Sequence, residues 1–174
     1  MCSNPECVAL GECGLDFNRN FSPPEVQLEA FEKQVELACR LKKPLFLHER
    51  DAHDEMISVL KKYESQLPPS VIHCFTGNMT QVQDYLNLGL YIGITGWYSG
   101  LFFTTHSILS IYIVLFDCIG YVWKDKSEQG IRKILTENVI PLDRLLVESD
   151  APFMYPNTRS AKLPGGSKDI ISSR

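Results

Sequence analysis

A chain of 174 residues is long enough to bury the core of one ordinary domain. Hydrophobic residues make up 44% of it and charged residues 22%, proportions typical of a globular protein, which excludes wholesale disorder. The net charge of −4 argues against a protein that coats nucleic acid, but not against a nuclease, because an acidic metal site attracts phosphate once cations bind.

The cysteines carry little functional signal, because none belongs to a CxxC pair and no signal-peptide pattern precedes them. We therefore expect reduced intracellular thiols rather than a disulfide framework, and a location in the cytoplasm or the nucleus. The six are Cys2, Cys7, Cys13, Cys39, Cys74 and Cys118. The spacing of the first three matches no zinc-ribbon pattern.

Residues 101–123 form an unusual apolar segment that contains His106 and Asp117. Its length would suffice for a membrane helix, which needs about 20 mainly apolar residues. A histidine, an aspartate and several hydroxyls are costly in a bilayer, which disfavours a membrane span. Removing residues 98–122 restores the regular spacing of the surrounding elements, so we interpret them as an insertion into one βα loop.

Short apolar runs alternate along the chain with amphipathic helical patterns. Strands are predicted at 8–10, 45–47, 71–72, 90–94 and 145–147. Helices are predicted over 22–38, 56–63, 80–86 and 131–135. Ser22 as N-cap and Glu25 three residues later predict a capping box on the first helix. Gly89 is expected to cap the third helix.

This alternation predicts an α/β fold with a buried parallel sheet. Side chains of metal-ligand type stand at the carboxyl ends of several successive strands. A (β/α)8 barrel places its active site at these ends, and a doubly wound sheet also binds ligands there. The barrel is favoured because four such residues from different strands converge readily only in a closed ring. The chain is thus expected to be a single, partial barrel domain with a polar tail at 156–174.

The four residues are Glu12, His48, His73 and Asp150, a mixed set of carboxylates and imidazoles. Imidazole suits zinc or manganese, and carboxylates suit magnesium or manganese and can bridge two ions. A bridging glutamate with two histidines on one ion, and the aspartate on a second ion, would be a workable two-metal hydrolase site.

Each residue also has a simpler interpretation. A histidine that ends a strand is often a hydrogen-bonded loop residue, Glu12 could be a salt-bridge partner, and Asp150 could be a turn residue. Arg50 could contact a phosphate or pair with a neighbouring carboxylate. His53 is expected in the following helix rather than on a metal, and Phe75 could stack on a base but is more typical of a core residue.

Five ordered segments are similar to signatures of the TatD family of metal-dependent DNases. They are GECGLDF at 11–17, LHERDA at 47–52, HCFTG at 73–77, YIGITGW at 91–97 and ESDAP at 148–152. The resemblance covers residues 5–97 and 123–155. It implies a (β/α)8 metallohydrolase that cleaves DNA, often as a 3′–5′ exonuclease, with divalent cations such as Mg²⁺ and a monomeric full-length enzyme.

The resemblance also implies roles for the candidate residues. Glu12 would be the bridging carboxylate, His48 and His73 would ligate one ion, and Asp150 would ligate the other and take the proton of the attacking water. Arg50, two residues beyond His48, would lie at the mouth of the implied barrel, where it is our candidate substrate-binding residue. Two ions per complete site are implied, with Zn²⁺ or Mn²⁺ as alternatives to Mg²⁺, and no membrane partner is expected.

The chain departs from the family pattern at both ends and in the middle. The family's His-x-His pair on its first strand has no counterpart here, and the sequence starts just before what resembles the fourth strand. It also stops soon after what resembles the eighth strand, so we expect a truncated chain. Without the His-x-His pair, we expect the second metal position to be weakened. Three functions stay open: a TatD-type nuclease, a related hydrolase of another ester or amide, and a non-catalytic fragment.

Overall fold

The computed structural model of the chain describes residues 4–19, 21–95, 125 and 127–148. Within them, strands and helices alternate. The strands are β1 (Leu10–Asp16), β2 (Leu45–Arg50), β3 (Ser70–Ile72), β4 (Tyr91–Thr95) and β5 (Leu145–Glu148). The helices are α1 (Pro24–Leu41), α2 (His53–Lys62), α3 (Met79–Asn87) and α4 (Ile131–Thr136).

The strands form one parallel sheet in the order β1-β2-β3-β4-β5, so each strand pairs with the next one along the chain. Every described connection therefore returns the chain to the same end of the sheet, and the carboxyl ends of all strands meet at one edge. The predicted α/β class and parallel sheet are confirmed.

The core lies between the sheet and the apolar faces of the helices. Leu45 and Leu47 of β2 are almost fully buried, as are Phe31 of α1 and Met56 of α2. Burying side chains of this size stabilises the fold by roughly 1.5–3 kcal/mol each. The helical periodicity in the sequence identified this packing face of each helix.

Two strands extend beyond their predicted ends. The first was predicted at 8–10, but β1 runs from Leu10 to Asp16. The second was predicted to end at His48, but β2 continues to Arg50. Ladder pairs between the two strands extend to Asp16 and Arg50, because backbone pairing tolerates polar side chains wherever they face away from the core. The candidate ligands Glu12 and His48 thus project from within strands.

The start of α1 differs from the predicted capping box. Pro23 is the N-cap and no side chain caps the helix, so the assignment of Ser22 was wrong. The Ser22 carbonyl instead accepts a hydrogen bond from Gln27 Nε2 at 2.7 Å. The same side chain accepts from the backbone N–H of Asp16 at 2.9 Å, and it thereby joins the first turns of α1 to the end of β1.

The third helix begins and ends with clear signals. Asn78, one residue before the helix begins at Met79, forms a reciprocal capping box with Gln81 inside the first turn. Gly89 follows the helix with φ +77°, the left-handed conformation that favours glycine. The capping role predicted for Gly89 is confirmed, and the helix begins one residue before the predicted Thr80.

Two predicted segments, the insertion at 98–122 and the tail at 156–174, lie outside the described residues. In the part of the chain that the structure describes, no helix is long and apolar enough to cross a membrane.

Candidate functional site

The first two candidate ligands are in contact across neighbouring strands. His48 Nδ1 lies 3.0 Å from Glu12 Oε1, and both side chains retain access to solvent. The register of β1 against β2 shifts between Leu10 and Cys13, which places Glu12 at an irregularity of the strand. This pair is a carboxylate beside an imidazole, a donor combination that suits divalent transition metals.

A second carboxylate contacts the opposite nitrogen of the same ring. His48 Nε2 lies 3.2 Å from Asp16 Oδ2, while the other oxygen of Asp16 accepts from the backbone N–H groups of Asn18 and Arg19. Burial alone would raise the pKa of Asp16, but the Arg19 N–H and His48 outweigh burial and hold this pKa below its usual range. The sequence reasoning gave Asp16 no role, although it is the last residue of β1.

His73 follows β3 directly and is buried. Its ring packs on the ring of Phe46 with 4.7 Å between centroids. Phe46 and His48 are two residues apart on β2, so their side chains share one face of the sheet. His73 therefore lies on the same face as the Glu12–His48 pair.

A carboxylate from the far end of the described chain contacts His73. His73 Nδ1 lies 2.8 Å from Glu148 Oε2, and Glu148 Oε1 accepts from the backbone N–H of Cys74 at 2.6 Å. Cys74 has φ +47°, and its thiol is 3.0 Å from the Thr95 hydroxyl. These contacts join the ends of β3, β4 and β5. Sequence reasoning missed Glu148, although it belongs to the ESDAP segment and ends its strand.

The structure brings the candidate ligands together only in part. Glu12 and His48 are in contact, and His73 is on the same sheet face. Across the described ranges, no three histidine, cysteine or acidic side chains converge closely enough to hold a metal ion by themselves. The fourth predicted ligand, Asp150, lies outside these ranges.

The remaining candidates have distinct environments. Arg50 is exposed at the end of β2, and no described carboxylate forms an ion pair with it. His53 begins α2, as predicted, and its Nε2 lies 3.1 Å from Asp84 Oδ2. Phe75 is buried in the core, as its simpler interpretation predicted. Four cysteines are described, and all four are free thiols: Cys7, Cys13, Cys39 and Cys74.

Comparison with known proteins identifies the family. The model of the family described as TatD related DNase matches residues 1–170. The chain belongs to this family. The TatD resemblance drawn from the five segments is thereby confirmed.

Its relatives include named enzymes of bacteria. A protein of Klebsiella pneumoniae named 3′-5′ ssDNA/RNA exonuclease TatD is 43% identical over 152 residues, which are 87% of this chain and 48% of the relative. A protein of the same name from Citrobacter rodentium is 41% identical over 158 residues, which are 91% of this chain and 50% of the relative. The chain thus spans about half the length of these curated relatives.

Solved structures agree with the sequence comparison. A TatD homologue from Escherichia coli superimposes with a TM-score of 0.61 at 28% identity, covering 88% of this chain and 48% of the homologue. A TatD-family hydrolase from Entamoeba histolytica gives a TM-score of 0.58 at 28% identity, covering 84% of this chain and 40% of that protein.

Proposed function

We propose that this chain carries part of the active site of a metal-dependent TatD-type nuclease, which cleaves phosphodiester bonds of DNA as a 3′–5′ exonuclease. The observation that carries the proposal is the contact of Glu12 with His48, two residues from two separate family segments. The named relatives support the substrate class, because they are called exonucleases of single-stranded DNA and RNA.

The five strands correspond to strands four to eight of a (β/α)8 barrel. Their order supports this assignment, because every strand pairs with its sequence neighbour. A doubly wound sheet reverses its strand order at a switch point, whereas a barrel adds strands consecutively. No such reversal occurs among the described strands.

The donor chemistry of the described residues fits a divalent cation. Glu12 and His48 present a carboxylate and an imidazole side by side, and His73 adds a second imidazole from the same sheet face. With Asp150 they would hold Mg²⁺, or Zn²⁺ or Mn²⁺ in its place, two ions completing the site. When bound, such ions supply Lewis acidity and activate water for attack on phosphorus.

The protein's own residues supply orientation and proton transfer. Glu12 would bridge the ions, and Asp150 would accept the proton of the attacking water. Arg50 is exposed at the carboxyl edge of the sheet and has no described ion pair, so its guanidinium is available to bind a backbone phosphate.

Activity measurements on two chains test this proposal. The first is the chain as it stands, and the second adds three βα units before β1 and removes residues 98–122. The extended chain should degrade single-stranded DNA from its 3′ end, lose activity to a chelator, and leave a small carboxylic ester intact. Hydrolysis of the ester without hydrolysis of DNA would favour the related-hydrolase alternative. Metal binding without hydrolysis of either DNA or the ester would favour the third alternative, a non-catalytic fragment.

Two variants of the extended chain assign the roles. Asp150→Asn keeps the side-chain shape but removes the charge and the base, and it should abolish cleavage. His48→Ala removes a ligand, and it should weaken metal binding as well as rate. Asp143→Asn is the matched control, because Asp143 is an exposed carboxylate just before β5. Full DNA hydrolysis by the Asp150→Asn variant would contradict the proposed centre.

A further inference from the structure

The imidazole ring of His48 lies between two carboxylates of the neighbouring strand. Glu12, Gly14 and Asp16 alternate along β1 with two buried residues, so these three share one side of the sheet. Gly14 is the residue paired with His48, and it carries no side chain. The ring therefore reaches Glu12 with one nitrogen and Asp16 with the other.

The two contacts of the His48 ring differ in kind. Nε2 lies 3.2 Å from Asp16 Oδ2 with hydrogen-bond geometry. Nδ1 lies 3.0 Å from Glu12 Oε1, which is an ion-pair distance without hydrogen-bond geometry. The side chain of Glu12 is also about half exposed, whereas that of Asp16 is only 16% exposed. The hydrogen bond that orients the ring is therefore the one to Asp16.

The Asp16 carboxylate is itself held in place. Its Oδ1 accepts from the backbone N–H groups of Asn18 and Arg19 at 3.1 and 2.8 Å. Its Oδ2, which faces His48, also lies 3.3 Å from Arg19 Nε. The Gln27 side chain fixes the Asp16 backbone, because it accepts from the N–H at 2.9 Å and donates to the carbonyl at 3.1 Å. Oδ2 cannot turn away from His48 without loss of these contacts.

A neutral imidazole keeps its single proton on the nitrogen that meets an acceptor, and its other nitrogen then carries the lone pair that can bind a metal ion. For His48 the fixed acceptor is at Nε2, so the lone pair is at Nδ1, on the side of Glu12. We propose that Asp16 is a positioning residue that holds His48 with Nε2 protonated and Nδ1 available to the ion that Glu12 also binds. This inference rests on the proposed function, because it presumes that Glu12 and His48 are ligands.

The tautomer of His48 is measured in the unmodified, metal-free chain. Long-range ¹H–¹⁵N NMR distinguishes the protonated ring nitrogen from the bare one, and His48→Ala assigns the signals. The spectrum is recorded at about pH 8.5 or above, where an imidazole with an ordinary pKa of about 6.5 carries one proton. We expect this proton on Nε2. A proton on Nδ1 instead overturns the proposal, whether or not any variant folds.

Asp16→Asn exchanges the acceptor that faces His48 for a donor at nearly constant size. The single oxygen of the asparagine is needed by the backbone N–H groups of Asn18 and Arg19, so its NH₂ group faces Nε2. The ring proton should then move to Nδ1, where it blocks the proposed ligand atom. We expect about 10- to 100-fold weaker Zn²⁺ binding in calorimetric titration of this variant.

Asp16→Ala separates positioning from a purely structural role. It removes the same charge as Asp16→Asn but supplies no donor, so both tautomers of His48 stay accessible and Zn²⁺ affinity should fall less. Stability should follow the opposite order, because the asparagine retains an acceptor for the backbone N–H groups. A Zn²⁺ affinity that follows stability, with the alanine variant the weaker binder, would indicate a structural role and overturn the proposal.

Asp143→Asn is the matched control, because Asp143 is an exposed carboxylate, and this variant should keep both the tautomer of His48 and the Zn²⁺ affinity. A folded Asp16→Asn variant with the same tautomer and affinity as the unmodified chain overturns the proposal. If the unmodified chain binds no Zn²⁺, the metal centre of the proposed function fails. The tautomer of His48 and its reversal in Asp16→Asn then still decide the role of Asp16.

Discussion

His48 Nδ1 lies 3.0 Å from Glu12 Oε1, on the strand next to its own. The two residues are far apart in the sequence, and the parallel pairing of β1 with β2 brings them together. Because both keep access to solvent, a cation can reach them without opening the core. Because of this accessibility, the Glu12–His48 pair is the strongest candidate, among the described residues, for part of a metal site.

Replacing Glu12 by glutamine should weaken metal binding without unfolding the protein. The substitution removes the negative charge of a proposed ligand that is about half exposed, so little packing is lost. We expect at least about a tenfold loss of Zn²⁺ affinity by calorimetry, by analogy with the effect of outer carboxylates. Glu64→Gln, at an exposed site, is the control. Equal affinity of both variants would remove Glu12 from the ligand set.

Asp16 should contribute to stability through the turn that follows β1. Its carboxylate accepts hydrogen bonds from two backbone N–H groups and contacts the His48 ring. Asp16→Ala removes this acceptor from all three. We expect a loss of about 1–3 kcal/mol in the free energy of unfolding, measured with urea. Asp16→Asn keeps an acceptor oxygen and should lose less. Equal losses in both variants would show that the charge, rather than the hydrogen bonding, matters.

Gly14 should tolerate no side chain. It has φ +143°, and a methyl group there would overlap the His48 carbonyl of the paired strand. We expect Gly14→Ala to destabilise the protein by about 3 kcal/mol or more in thermal or urea unfolding, because strain and overlap combine. Gly89→Ala is the matched control, since Gly89 also has positive φ but has open space around it. That variant should lose only about 1 kcal/mol.

Tyr85 should make the protein sensitive to alkali. Burial, followed by the charge and hydrogen bond of Glu49, raises the pKa of the Tyr85 phenol well above its usual range. The unfolded state then releases this proton near pH 10, while the folded state keeps it. Since the unfolded state binds fewer protons there, stability falls as pH rises, by about 1.4 kcal/mol per pH unit.

Unfolding by urea between about pH 9 and 11.5 measures this slope around the ordinary tyrosine pKa of about 10. Tyr85→Phe cannot ionise and should show a shallower decline, at a cost of about 1 kcal/mol near neutral pH for the lost hydrogen bond to Glu49. The slope of the unmodified chain is the reference. An identical slope in Tyr85→Phe would assign the alkaline sensitivity to other groups.

Much of the local structure could be predicted from the sequence. Apolar periodicity located the four helices of the described residues and their packing faces, and the run of short strands predicted the parallel sheet. Gly89 was identified as a cap from its residue type. These features depend on short stretches of chain, in which side-chain spacing and backbone preference act together. The capping of α1 was mispredicted: Pro23 is the N-cap, no side chain caps the helix, and Gln27 joins its first turns to the end of β1.

The sequence by itself determined the α/β class, the family segments and the types of side chain at the candidate site. Only the tertiary structure decided which of them meet: Asp16 with His48, and Glu148 with His73. The second pair joins residues on opposite sides of the apolar segment at 98–122, and its contact depends on β5 pairing with β4 in register. Side-chain periodicity reports only the near neighbours of a residue, whereas strand order and register bring distant residues within bonding distance.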